Sequence, residues 1–257
     1  MGTPVMTSMN GYSKLFMIPQ NKHDKEILLS VDRKTRLEVE EKYGIIVDYD
    51  WQCNTVANAM VETIIKFIAY MMKSNPENGI GIDFYNVFRS IVSYKKNEKA
   101  EKEGNINIFF EPGSKVNDII EKGPDAAEDP NIQHSITDYI SSDEKENELY
   151  RTLDTQCKYQ LTMHNSIMFP DHVKFFTSAI TCTFLMNIFK ELLYRAANDP
   201  DRDKSEYLES VNFNDLIEIH ALIKDGHASI NMRPGVNAKL LIKCDELTES
   251  TMGDFQD

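Results

Sequence analysis

Residues 102–113 read Lys-Glu-Gly-Asn-Ile-Asn-Ile-Phe-Phe-Glu-Pro-Gly, and residues 224–235 read Lys-Asp-Gly-His-Ala-Ser-Ile-Asn-Met-Arg-Pro-Gly. The two stretches have equal length, Ile108 and Ile230 hold the same place in them, and their prolines stand 122 residues apart. A self-match at a fixed offset points to an internal repeat, which sets the frame for every other element. Asn105 to Glu111 and His227 to Arg233 carry strand patterning bounded by turn residues. Pro-Gly after each reads as a hairpin turn, since proline presets φ at the first central position and glycine tolerates positive φ at the second. Val236 to Cys244 then reads as a returning strand. Ser114 to Glu121 holds the same place, is more polar, and reads as a strand or a short helix.

Upstream, Val56, Met60, Ile64 and Ile68 recur every four residues, as do Ile180, Phe184, Ile188 and Leu192. Residues four apart share a helix face, so each series predicts a long helix buried on one side. Pro76 and Pro200 stand beyond the ends, where proline is common because it cannot continue a helix. Phe84, Val87, Phe88 and Ile91 match Phe213, Leu216, Ile217 and His220. With Asp83 and Asn212 as N-caps, they predict a second, shorter helix in each half. Ahead of the long helices, Glu26–Val31 and Arg36–Val39 read as two strands around the polar turn Asp32–Thr35. Glu148–Leu153 and Tyr159–Met163 repeat that reading around Asp154–Gln156.

The expected fold is therefore α+β, with two tandem diverged repeats. Each has a long helix and a shorter helix packed with antiparallel strands and a Pro-Gly hairpin. The expected organisation is an N-terminal arm (1–22), a first unit (23–123), an acidic linker (124–145), a second unit (146–245) and a flexible acidic tail (246–257).

At 257 residues and 41% hydrophobic composition, the chain can bury a substantial core. A net charge of −13 and a pI near 5.0 oppose binding to phosphate backbones. The densest basic cluster, Lys95, Lys96, Lys99 and Lys102, is interrupted by Glu98, Glu101 and Glu103. The four cysteines are widely spaced, with no C-x-x-C pair, which argues against zinc and against a disulfide framework. No secretory signal opens the sequence, and the apolar run Phe175–Phe189 is short for a bilayer. The expectation is a cytoplasmic protein of a reducing compartment, with no membrane partner and a place in a virion compatible with its texture.

Motifs for chemistry are missing. There is no P-loop and no nucleophile elbow, and Gly79-Ile80-Gly81 lacks the third glycine of a dinucleotide fingerprint. Asp199, Asp201 and Asp203 imitate a calcium loop, but Lys204 and Ser210 replace its required Gly and Glu. His164 and His172 are separated by Pro170, so one helix cannot align them. His220 reads as a core or boundary residue, and Asp48, Asp50 and Trp51 as turn residues ahead of a helix. No cofactor and no metal ligand is assigned.

Lys66–Tyr70 and Lys190–Tyr194 are the polar pairs kept in both halves, each at i, i+4 spacing. Behind the first long helix stand Asn58, Glu62 and Lys66, a solvated face; behind the second stand Cys182, Met186 and Lys190. That second face should be covered, by the arm, the other unit or another subunit. Phe175, Cys182, Met186, Lys66, Tyr70, Lys190 and Tyr194 are therefore the candidate protein-contact residues. The expected function is non-enzymatic, that of a structural or assembly protein, a homo-oligomer or part of a larger assembly, with a viral (phage-like) virion or assembly component as one form. The alternative is an enzyme whose site lies between the two units.

Overall fold

The computed structural model describes residues 18–75, 80–96, 104–122, 141–169, 175–199 and 206–243. The expected arm before residue 18, most of the linker, the acidic tail, Pro76, Pro200, His172 and the calcium-like aspartates 201 and 203 lie outside the described residues. The fold is α+β, with six helices and two three-stranded antiparallel sheets among the described residues. The first half runs α1 (Lys22–Tyr43), α2 (Gln52–Ser74), β1 (Ile80–Phe84), β2 (Phe88–Lys96), β3 (Gly104–Pro112) and α3 (Ser114–Lys122). The second follows the same order: α4 (Glu144–Asn165), α5 (Phe176–Ala197), β4 (Glu206–Phe213), β5 (Ile217–Lys224), β6 (His227–Pro234) and α6 (Val236–Lys243).

The long helices stand where the four-residue periodicity placed them, as α2 and α5. The paired strands expected before each are instead single helices, α1 and α4. Buried Ile27, Leu28, Val31, Asp32, Thr35 and Val39 follow helical spacing, and the Glu, Lys, Arg and Leu between them suit a helix. Asn21 caps α1 by accepting from the His23 amide, and Gly44 closes it in the left-handed conformation. Asp143 and Ser166 do the same for α4.

Asp32 does not sit in a turn. Its buried carboxyl reaches the start of α2, accepting from the amides of Trp51 at 2.8 Å and Asn54 at 2.7 Å. Asp154 serves α5 in the same way, accepting from the amides of Thr177 and Ser178 at 3.1 and 3.2 Å. Neither Trp51 (φ 74°) nor Phe175 (φ 55°), the residues entering these helices, provides a side-chain cap. The preceding helix supplies it, tying each helical hairpin together.

The shorter helices expected at 84–91 and 213–220 are absent. Phe84 and Phe88 flank a tight turn in which Tyr85 and Asn86 both have positive φ, and Val87 N donates to Phe84 O at 2.9 Å. Asn214 and Asp215 form the corresponding turn, closed by Leu216 N to Phe213 O at 2.9 Å. Positive φ at both central positions matches the twist of paired strands. Val87 and Phe88 or Leu216 and Ile217 then enter sheets, not helices, and His220 stands on a strand.

Pro-Gly is not a hairpin turn either. Each pair joins the last strand of a sheet to a helix, α3 or α6, so the returning strand expected from Val236 is helical over Val236–Lys243. Gly113 is required by crowding, not by its own φ. A Cβ there would lie 2.2 Å from Asn86 O, and one at Gly235 would lie 2.1 Å from Asp215 O. The glycine lets the strand–helix junction sit against the positive-φ turn, where Lys115 N donates to Asn86 O at 3.0 Å and Asn237 N to Asp215 O at 2.9 Å.

One continuous core runs through both halves. Helix α5 packs against α1 and α2, α2 also packs against α4 and α6, and β3 lies beside β6. Helix α2 is long and apolar enough to cross a membrane by length and composition alone, yet most of that span is buried in this core.

Candidate interaction surface

The contact residues expected from sequence are distributed along α2 and α5 and do not form one exposed patch. Cys182 and Met186 are fully buried, and Phe175 nearly so. The back face of α5 is thus covered, and α1 of the other half packs against this helix. Asn187 donates to Thr35 Oγ1 at 3.1 Å and to Glu38 Oε2 at 3.0 Å. Burial opposes ionisation of Glu38, but Lys42, Asn187 and Lys190 together hold its carboxyl below the usual range. Lys190 is buried and Lys66 pairs with Glu62 at 2.5 Å. Tyr70 is half-buried and Tyr194 exposed. The face of α2 expected to be solvated is largely enclosed, with Asn58 buried and Glu62 half-buried.

The open surface is the outer side of the sheets. Along β2 and β3 the buried residues alternate with exposed Arg89, Ile91, Ser93, Asn107, Phe109 and Glu111. Ile91 and Phe109 are direct cross-strand partners, and Phe109 is 54% exposed. Arg89 faces Glu111 one step along. The second sheet places Glu218 opposite Arg233 and His220 opposite Asn231 at the corresponding positions, so the charges are exchanged and the apolar pair is replaced by polar residues. Each outer strand is tied to a helix. His23 Nε2 lies 3.1 Å from Ser210 O on β4, and the Tyr150 hydroxyl oxygen lies close to Asp83 O on β1.

The sheets also differ in reach. Strand β1 pairs only with Phe88–Val92, whereas β2 and β3 stay paired out to Lys96 and Gly104. Among the described residues the last four pairs form a two-stranded extension, whose Tyr94 and Ile106 still pack against the core. In the second sheet β4 accompanies β5 along its whole length, and Asp225-Gly226 closes the next turn at once.

Where each β-turn meets the other half, the two halves diverge again. Tyr85 and Tyr150 are buried with ring centroids 4.0 Å apart, and Tyr150 OH donates to Glu146 Oε1 at 2.5 Å. Burial lifts both phenols far above their usual range. The corresponding positions in the other half are Asn214, Leu28 and Asp24. Asn214 Nδ2 donates to Asn54 Oδ1 at 3.1 Å, and a cavity of about 180 Å³ opens beside it.

Cys53, Cys157 and Cys182 are buried free thiols whose pKa burial raises, a setting for inert packing. Among the described residues no three His, Cys, Asp or Glu side chains gather in a metal-binding group. Sequence reasoning missed Ile91, Phe109, Asp24 and Asn214. Strand alternation could have found the first pair, had residues 88–92 been read as a strand. Comparison of the chain with protein-family models, curated proteins and solved structures returns no match.

Proposed function

We propose that this chain consists of two tandem diverged repeats folded as a single-chain pseudo-dimer, and that it acts without catalysis, as a structural or assembly protein working through protein–protein contact. The repeat reading rests on the recurring element order and on matched details: the Asp32 and Asp154 caps, the paired positive-φ turns and the crowded Gly113 and Gly235. The observation that carries the contact reading is the exposed Ile91–Phe109 pair in the middle of an outer sheet face. Fusing two copies lets the paired surfaces diverge, as the exchanged Arg89–Glu111 and Glu218–Arg233 pairs illustrate, and a connector that meets unlike neighbours needs unlike faces. A virion or assembly component fits this design. The test is light scattering across concentration for the wild type and Phe109→Asp. A wild-type mass above the 29.6 kDa protomer that falls in the variant is expected; a wild type that stays monomeric and retains no protein partner refutes the reading.

One observation favours a second reading, contact with duplex nucleic acid. The end of the β2–β3 ribbon carries exposed Lys95, and the sequence that follows has Lys99 and Lys102 interspersed with Glu98, Glu101 and Glu103. A two-stranded ribbon fits the major groove. The acidity of the chain opposes this, so fluorescence anisotropy with a labelled duplex at low and physiological salt decides it. Salt-sensitive binding lost in Lys95→Glu supports the second reading.

A further inference from the structure

We propose that the outer face of the first sheet binds a second copy of this chain, face to face, about a two-fold axis parallel to the strands and midway between β2 and β3. This rests on the contact reading above and names its partner. Three rows of residues cross that face, each a direct cross-strand pair: Arg89 with Glu111, Ile91 with Phe109, and Ser93 with Asn107. All six residues are exposed. On the β1 side, Gly81 stands beside Ile91 and brings no side chain to the middle row. Arg89 is flanked there by Asp83, with Nε 3.4 Å from Asp83 Oδ2.

Sheets packed face to face keep their strands within about 30° of each other, so rows lie over rows. Rotation about an axis parallel to the strands exchanges β2 with β3. Arg89 of one copy then lies over Glu111 of the other, twice by symmetry. Ile91 lies over Phe109, and Ser93 over Asn107. Every row meets its complement, which is what a contact using the same patch on both partners requires. The apolar row is central and polar rows flank it, the arrangement of an interface core and its rim.

The second sheet excludes the competing partner. Glu218 and Arg233 stand where Arg89 and Glu111 stand in the first sheet, with the signs exchanged. Stacking a first sheet on a second sheet in the same orientation sets Arg89 over Arg233 and Glu111 over Glu218. Like charges facing each other suppress that pairing. The same stack sets Ile91 over Asn231 and Phe109 over His220, which desolvates polar groups without partners. First-on-second stacking would also propagate into open chains, so the exchanged charges close the assembly at two copies. Second sheet on second sheet is matched in charge but has His220 and Asn231 in place of the central apolar pair.

The test is sedimentation velocity of the full chain from low to high micromolar concentration. The samples are wild type, Arg89→Glu, Glu111→Arg, an equimolar mixture of those two variants, and Glu218→Arg. The wild type should reach twice the 29.6 kDa protomer mass and go no further. Arg89→Glu makes the charged row all acidic and Glu111→Arg makes it all basic, so each alone should weaken self-association about tenfold or more. The mixture should restore the dimer, because an acidic row then meets a basic one, and restoration shows that both variants fold. Glu218→Arg, on the second sheet, should dimerise as the wild type does. If Arg89→Glu does not fold, Glu111→Arg read against Glu218→Arg carries the test. A monomeric wild type, growth past the dimer, folded charge variants that dimerise normally, or a mixture of folded variants that stays monomeric overturns the proposal. A wild type whose association depends on Phe109 but ignores the charge variants removes this proposal and leaves the contact reading standing.

Discussion

Replacing Gly113 by alanine isolates the role of the strand–helix junction. The added Cβ would sit 2.2 Å from Asn86 O, 2.3 Å from Asn86 C and 2.8 Å from Val87 N. Ordinary contact begins near 3.4 Å, so the junction or the β-turn must retreat by roughly 1.2 Å. All three obstacles are backbone and cannot rotate away. The retreat breaks two bonds that now hold the junction, Gly113 N to Val87 O and Lys115 N to Asn86 O, each 3.0 Å. At about 1 kcal/mol net per bond, with about 1–3 kcal/mol for overpacking, the loss is about 3–5 kcal/mol. Gly44→Ala is the matched control. Its φ of +64° is left-handed, but a Cβ there meets nothing within 4 Å, so only the conformational cost of about 1–2 kcal/mol applies. Urea unfolding followed by circular dichroism reads both variants. With a slope of about 2 kcal/mol/M, the midpoint should drop by about 2 M for Gly113→Ala and by less than about 1 M for Gly44→Ala. Equal midpoints for the two would refute crowding as the reason glycine is needed at 113.

Three further outcomes are expected. Asp32→Ala should lower stability by roughly 2–5 kcal/mol, because the Trp51 and Asn54 amides lose their buried acceptor; the same denaturation series checks it, and a loss under about 1 kcal/mol would contradict the capping role. Met186→Glu places a charge in the covered face of α5 and should cost about 3 kcal/mol or more, whereas Glu62→Lys, at a half-buried site on α2, should cost less; thermal melts rank the two. For Glu38, whose folded pKa lies below its ordinary value near 4.5, the stabilisation is present above that value and is lost as pH falls through the depressed one. The difference in stability between wild type and Glu38→Gln should therefore be full at pH 7 and close in acid, and a gap that persists unchanged below about pH 3 would show that ionisation of Glu38 does not carry it.

Much of the fold was legible where the pattern was long. The four-residue stripes fixed α2 and α5 because a helix buried along its length repeats its signal over many turns. The run from Asn105 to Glu111 was readable as a strand for a similar reason. The misreadings fell where tertiary contacts replace local signals. Asp32 looks like a turn residue, yet its carboxyl is consumed by the start of another helix. Tyr85-Asn86 lacks the glycine that usually announces a turn with two positive φ values, so Phe84 to Ile91 resembled an amphipathic helix. Pro112-Gly113 carries real turn chemistry, but the glycine answers a steric demand from Asn86, a residue far away in sequence. The surface was less legible still. Lys190 and Met186 looked like partner contacts because they are apolar or repeated; both are buried within the same chain, Lys190 beside Glu38 of α1.

The sequence by itself determined that the chain is α+β, that two long helices run through 56–68 and 180–192, and that the second of them is covered on its back face. These follow from periodicity and composition, which a single chain carries locally. Tertiary structure alone decided that the two halves share one core, that helices rather than strands precede α2 and α5, and that Ile91 and Phe109 are left facing solvent. It also decided that a pair of tyrosines fills one inter-half space while Asp24, Asn214 and Asp215 line a cavity at its counterpart. Each of these depends on which residues distant in sequence meet, and a buried side chain and an exposed one of the same type are indistinguishable until the neighbours that cover them are in place.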